Sequence, residues 1–177
     1  MNTTITSIHS WDAKEAFVEF FTKEFREQQL GQPGRWFLLG TPSPFLYDPV
    51  RVADVKLLIE RSDRNNTAHD PLAWRLDFEA GDGATTLWAL NSQPMRGRIE
   101  QGHGLAVKTA LIDWLPALVE SQRGLFGKPP GAICALFGSG TGKGQTPNLH
   151  TTAFLFNSKR QAGCNLCSTA RADKMGG

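Results

Sequence analysis

Cysteine is scarce in this chain, three in 177 residues, and the number is odd. The opening MNTTITSIHS has neither the basic start nor the apolar stretch of a secretory signal. Together these exclude a disulfide framework and predict reduced thiols in the cytoplasm. Long apolar runs are missing as well. None approaches the ~20 residues of a spanning helix, which excludes a membrane partner. The four histidines, His9, His69, His103 and His150, fall into no H-E-x-x-H or triad arrangement, and there is no G-x-S-x-G elbow. The chain therefore leans away from an enzyme: no catalytic residue, no metal and no cofactor is assigned.

What is present is a core and a divided charge. Hydrophobic residues make up 40% of the chain and the net charge is only +2, which is the composition of a folded globular domain. We read residues 1–160 as that single domain and 161–177 as a polar, basic, flexible tail. The charge is unevenly spread. Residues 1–90 hold nine Lys/Arg against thirteen Asp/Glu; residues 91–177 hold ten against four, together with thirteen of the 18 glycines from Gly97 onward. Lysine and arginine without nearby acids attract anionic partners, unless folding interleaves the two halves.

Periodicity predicts an α+β fold, a mainly antiparallel sheet of five to six strands with two helices packed on it, in the order α-β-β-β-β-α-β-β. Ser10 caps a helix from Trp11 to Gln29, with Phe17, Val18, Phe21 and Phe25 at helical spacing. Arg35 to Leu39 reads as a strand. Asp54 to Arg61 carries both signals, and the alternation of Val55, Leu57 and Ile59 favours a strand over a helix opened by Pro49. Trp74, Leu76 and Phe78 alternate with Arg75, Asp77 and Glu79 on a strand; Gly81-Asp82-Gly83 is read as a hairpin turn and Thr85 to Asn91 as the returning strand. The second helix is expected over Leu105 to Glu120, broken or kinked at Pro116. Ala132 to Phe137 is an apolar central strand, and His150 to Asn157 the last.

Candidate chemistry is thin. Gly138-Ser139-Gly140-Thr141-Gly142-Lys143-Gly144 has the composition of a phosphate cradle, but Phe137 stands where a P-loop has its first glycine and Gly144 where it has Ser or Thr. A long mobile loop carrying Lys143 remains. Cys164 and Cys167 form a C-x-x-C, half of a tetrahedral zinc site with no second pair, and are read as tail thiols; Cys134 is read as core. Asp77 and Glu79 share a strand face and are read as solvated charges.

The anion-binding set is Arg96, Arg98, His103, Lys143, Lys159 and Arg160, with Arg96-Gly97-Arg98 taken as a basic turn and His103 as a loop residue. Trp36 and Trp88 sit on strands with apolar residues on both sides, so they are the candidates for a stacking or partner surface. Three functions follow. The leading one is a non-enzymatic binding or accessory protein whose basic, glycine-rich C-terminal half contacts nucleic acid or another acidic partner. The second is a small enzyme or ligand binder closing the Gly138–Gly144 loop over a phosphate-bearing molecule. The third is a protein–protein interaction module.

Overall fold

The computed structural model describes residues 1–8, 34–39, 49–65, 73–120, 132–141 and 146–156. They form five strands and three helices: β1 (Asn2–Ile8), β2 (Arg35–Leu39), α1 (Val52–Asn65), β3 (Ala73–Glu79), α2 (Asp82–Leu90), α3 (Gln93–Glu120), β4 (Ala132–Thr141) and β5 (Pro147–Phe156). The strands make one sheet in the order β1-β3-β5-β4-β2, antiparallel at every pairing. The α+β class and the antiparallel sheet are as the periodicity predicts. The helix expected over Trp11 to Gln29 and the tail from residue 161 lie outside the described residues.

β5 is the middle strand, and from Thr151 to Phe156 it is buried without interruption. Side chains alternate between the two faces of a strand, so the register sorts the core into two layers. On one face Ala73, Ile133, Ala135, Phe137, Phe154 and Phe156 pack under Val50 and the Val55 and Leu58 stripe of α1. On the other, Phe37, Leu76, Phe78, Cys134, Ala153 and Leu155 pack under Val107 and Leu111 of α3. Each large apolar side chain buried this way contributes about 1.5–3 kcal/mol.

Four expectations are corrected. Asp54 to Arg61 belongs to a helix, because Val55 and Leu58, three apart, are the residues that reach the core, while Leu57 is exposed. Gly81 does not turn a hairpin. Its carbonyl accepts from Thr85 N–H at 3.0 Å and it serves as the N-cap of α2, so Thr85 to Leu90 is helical. The strand signal of Leu87, Trp88 and Leu90 loses because β3 finds both its partners elsewhere, in β1 and β5. α3 begins at Gln93 and not Leu105, with Pro94 in the first turn where its missing N–H costs nothing, and it continues through Pro116. It thereby takes in Arg96-Gly97-Arg98 and His103, expected in turns. Finally β4 runs to Thr141, so Gly138 to Thr141 is paired strand, not loop. β1, a Thr- and Ile-rich edge strand, was not foreseen, although its β-branched residues suit a strand.

Candidate functional site

The face covered by α1 is divided along its length. At one end it is the apolar layer just described. At the other, the residues that follow in register are polar: Asp77 on β3 lies opposite Thr152 on β5, and the next row brings Glu79 on β3, His150 on β5 and Ser139 on β4 into line across three adjacent strands. Thr4 and Asn2 of β1 extend the two rows to the sheet edge.

One hydrogen-bonded chain organises this end. The Thr152 hydroxyl, on a buried residue, donates to Asp77 Oδ1 at 2.6 Å. Arg75, on the same strand face, donates to the same carboxylate through Nε to Oδ2 at 2.8 Å and Nη2 to Oδ1 at 3.0 Å. Both oxygens of Asp77 are thus engaged by a two-pronged guanidinium, the planar geometry arginine provides. The pair is partly open to solvent, with 37% and 24% of the two side chains accessible, so it fixes orientation more than it adds stability. His150 is half-buried, and its Nδ1 lies 3.0 Å from the Asn148 carbonyl. A carbonyl can only accept, so Nδ1 donates to it and Nε2 is the ring nitrogen left facing away from that bond.

His103 sits one turn before Val107 on the sheet-facing side of α3. Its Nε2 is buried with no hydrogen-bond partner among the described residues. Burial holds the imidazole below the usual histidine range, and the charges of His150 and of the Met1 amino group push it the same way.

Arg96 is consumed by the helix pair: Nε and Nη2 donate to the Trp88 and Ala89 carbonyls at 2.9 and 2.7 Å, capping α2, and the guanidinium lies 5.4 Å over the Trp88 ring. The Trp88 indole N–H donates to Glu100 at 2.8 Å, and its ring fills the space a side chain at position 140 would need, which is why Gly140 is glycine. Trp36 is half-buried and packs on Phe156, ring centroids 6.1 Å apart. Arg98 is exposed on α3. Lys143, Lys159 and Arg160, like Cys164 and Cys167, lie outside the described residues. The Asp77–Thr152–His150 rows were missed by sequence reasoning, since the partners are far apart in the chain and only the strand register joins them.

No helix among the described residues is long and apolar enough to cross a membrane. No family model and no curated protein sequence matches the chain. Solved structures do. The conjugative relaxase TrwC in complex with oriT DNA, in a metal-free form, superimposes with a TM-score of 0.54 at 17% identity, over 88% of this chain and 56% of that one. A metal-bound form of the same complex gives 0.55 at 15%, over 88% and 57%. The chain spans little more than half the length of those relaxase chains, and at this identity the likeness is one of fold. This chain shares the fold of the part of that relaxase it covers.

Proposed function

We propose that this chain is a nucleic-acid-binding protein that takes a DNA strand across the polar end of its sheet, where Asp77, Thr152, His150, Glu79 and Ser139 interrupt an otherwise apolar face. The observation that carries this reading is the fold, shared over 88% of the chain with a relaxase whose solved structures hold DNA, one of them a 27-mer comprising the recognition hairpin and the cleavage site. The divided charge supports it: the surplus of Lys and Arg falls in the second half, and Arg98, Lys143, Lys159 and Arg160 are the residues we assign to phosphate contacts. Arg96 is left out of that set because its guanidinium already caps α2. Phosphate contacts position a strand without reading its sequence, so the binding proposed is of low sequence preference.

The test is fluorescence anisotropy of a labelled single-stranded oligonucleotide and of a hairpin, titrated with the full chain at about 50 mM salt, where non-specific nucleic-acid affinity is strongest. Saturable binding to either probe is expected. Absence of association with both at low ionic strength overturns the reading.

A further inference from the structure

The two edges of the sheet are finished differently. β2 closes one side, and its outer edge carries a bridge from Arg35 to Pro49, with the Val50 N–H donating to the Gly34 carbonyl at 2.7 Å. A charge and a proline on an outer edge keep a strand from pairing further. β1 closes the other side and carries neither. Asn2-Thr3-Thr4-Ile5-Thr6-Ser7-Ile8 holds no charged residue and no proline, and five of the seven residues are β-branched. Among the described residues β1 pairs only with β3, and it does so from Asn2 to Ile8 without a bulge that would turn the edge aside. Asn2 and the run Thr4 to Ser7 are exposed. On the face covered by α3 this edge is apolar. Ile5, opposite Leu76, is 46% exposed, and the half-exposed Trp114 of α3 leans on Phe78, the partner of Thr3, with ring centroids 6.2 Å apart.

We infer that β1 is a dimerisation edge whose partner is β1 of a second copy of this chain, joined antiparallel about a two-fold axis at Ile5 so that the two sheets continue as one. The strand is self-complementary in that register. Ile5 faces its own copy, Thr4 faces Thr6, Thr3 faces Ser7, and Asn2 falls beside Ile8 at the ends. Hydroxyl pairs and β-branched apolar pairs across strands are favourable, and no charge meets a like charge. The contact is isologous, so it closes after two copies and does not propagate. A strand of another protein would find the same backbone groups, but β1 offers no charge to select it; the match of the strand to itself favours a second copy. One strand pair is small beside the about 1,200 Å² or more of a stable interface, so the dimer is weak and concentration-dependent. Because Asn2 pairs with Glu79 at the polar end of the sheet, the two-fold sends the polar ends of the two copies to opposite ends of the joint. Dimerisation therefore leaves both polar ends accessible.

The test needs no DNA and so stands apart from the nucleic-acid reading. A Cys164→Ser, Cys167→Ser chain, whose tail thiols cannot cross-link, is followed by sedimentation equilibrium from about 10 to about 500 µM, a range over which a weak dimer forms by mass action. The mass should rise from the 19.4 kDa of one chain toward twice that value. Ile5→Lys sets like charges face to face at the two-fold and should weaken the dimer about tenfold or more, with Tm unchanged at low concentration because the side chain is exposed. Ile5→Val should keep the dimer. A chain that stays monomeric throughout, or a dimer that Ile5→Lys leaves intact, overturns the inference. Single cysteines in the same background read the register, since Cys134 is buried. Ile5→Cys should oxidise to a disulfide-linked dimer, because facing residues of antiparallel strands lie about 4.5–5.5 Å apart at Cα, within disulfide reach. Thr3→Cys should not, because its two copies stand four residues apart along the strands, about 13 Å. Cross-linking of Thr3→Cys as readily as of Ile5→Cys contradicts the two-fold at Ile5.

Discussion

Thr152 and Asp77 are joined by a 2.6 Å hydrogen bond across β5 and β3, from residues 75 positions apart in the chain. The Thr152 end is buried and the Asp77 end only partly open, so the bond is made where water competes poorly. Thr152→Val removes the donor and keeps the shape. It is expected to cost about 1–2 kcal/mol in denaturant unfolding, the penalty for an under-satisfied acceptor near the core. Arg75→Leu acts on the more exposed partner and is expected to cost under about 0.5 kcal/mol, as surface ion pairs do. Equal costs for the two would contradict this ordering.

Burial sets His103 apart from an ordinary histidine. Its folded imidazole titrates below the ordinary histidine range, with desolvation the largest cause and His150 and the chain amino group adding to it. A base with a lowered folded pKa is protonated more readily when the chain unfolds. The stability that neutral His103 contributes is therefore fully present above about pH 6.5 and is lost as pH falls from there toward the folded pKa. Melting curves between pH 7.5 and 5 should show wild type losing Tm faster than His103→Leu. Parallel curves would show that another group governs the acid limb.

Gly140 and Trp88 form a lock between β4 and α2, because the indole ring occupies the room of a side chain at 140. Gly140→Ala should destabilise by about 1–3 kcal/mol through overpacking. Combined with Trp88→Leu, the cost of the alanine should shrink by at least about 0.5 kcal/mol, the signature of residues in direct contact. Additive costs would place the strain elsewhere.

Cys134 is fully buried between Phe37, on the neighbouring strand, and the α3 layer, and burial alone drives its thiol far above the usual range. A thiol reagent needs thiolate and access, and Cys134 supplies neither. In the Cys164→Ser, Cys167→Ser chain, the native protein should stay unlabelled by a disulfide-forming reagent, and one equivalent should react after unfolding. Labelling of the folded chain on the minute timescale would contradict the burial.

Strands announced themselves where local alternation and sheet position agreed. Trp74, Leu76 and Phe78 opposite Arg75, Asp77 and Glu79, and the uniformly apolar start of β4, were legible because burial on one face or both writes directly into a short pattern. α1 and α2 were not, since Val55-Leu57-Ile59 and Leu87-Trp88-Leu90 satisfy a period of two as well as a helical turn, and only the tertiary partner decides between them. The polar end of the sheet was invisible for a related reason. His150 and Thr152 are two polar letters in an apolar strand, and they become part of a site only when register sets them beside Asp77 and Glu79. For Arg96 the charge is legible in the sequence, but its hydrogen bonds to the last carbonyls of α2 are not.

The measurement that bears most directly on the central claim is the salt dependence of single-stranded DNA binding, compared between wild type and a chain with Arg98, Lys143, Lys159 and Arg160 changed to Ala. Four phosphate contacts predict a log–log slope near about −3 for wild type, at about −0.7 per phosphate neutralised on a single strand, falling toward zero in the fourfold variant. A wild-type chain that fails to bind, or a variant that binds with the same slope, contradicts the account.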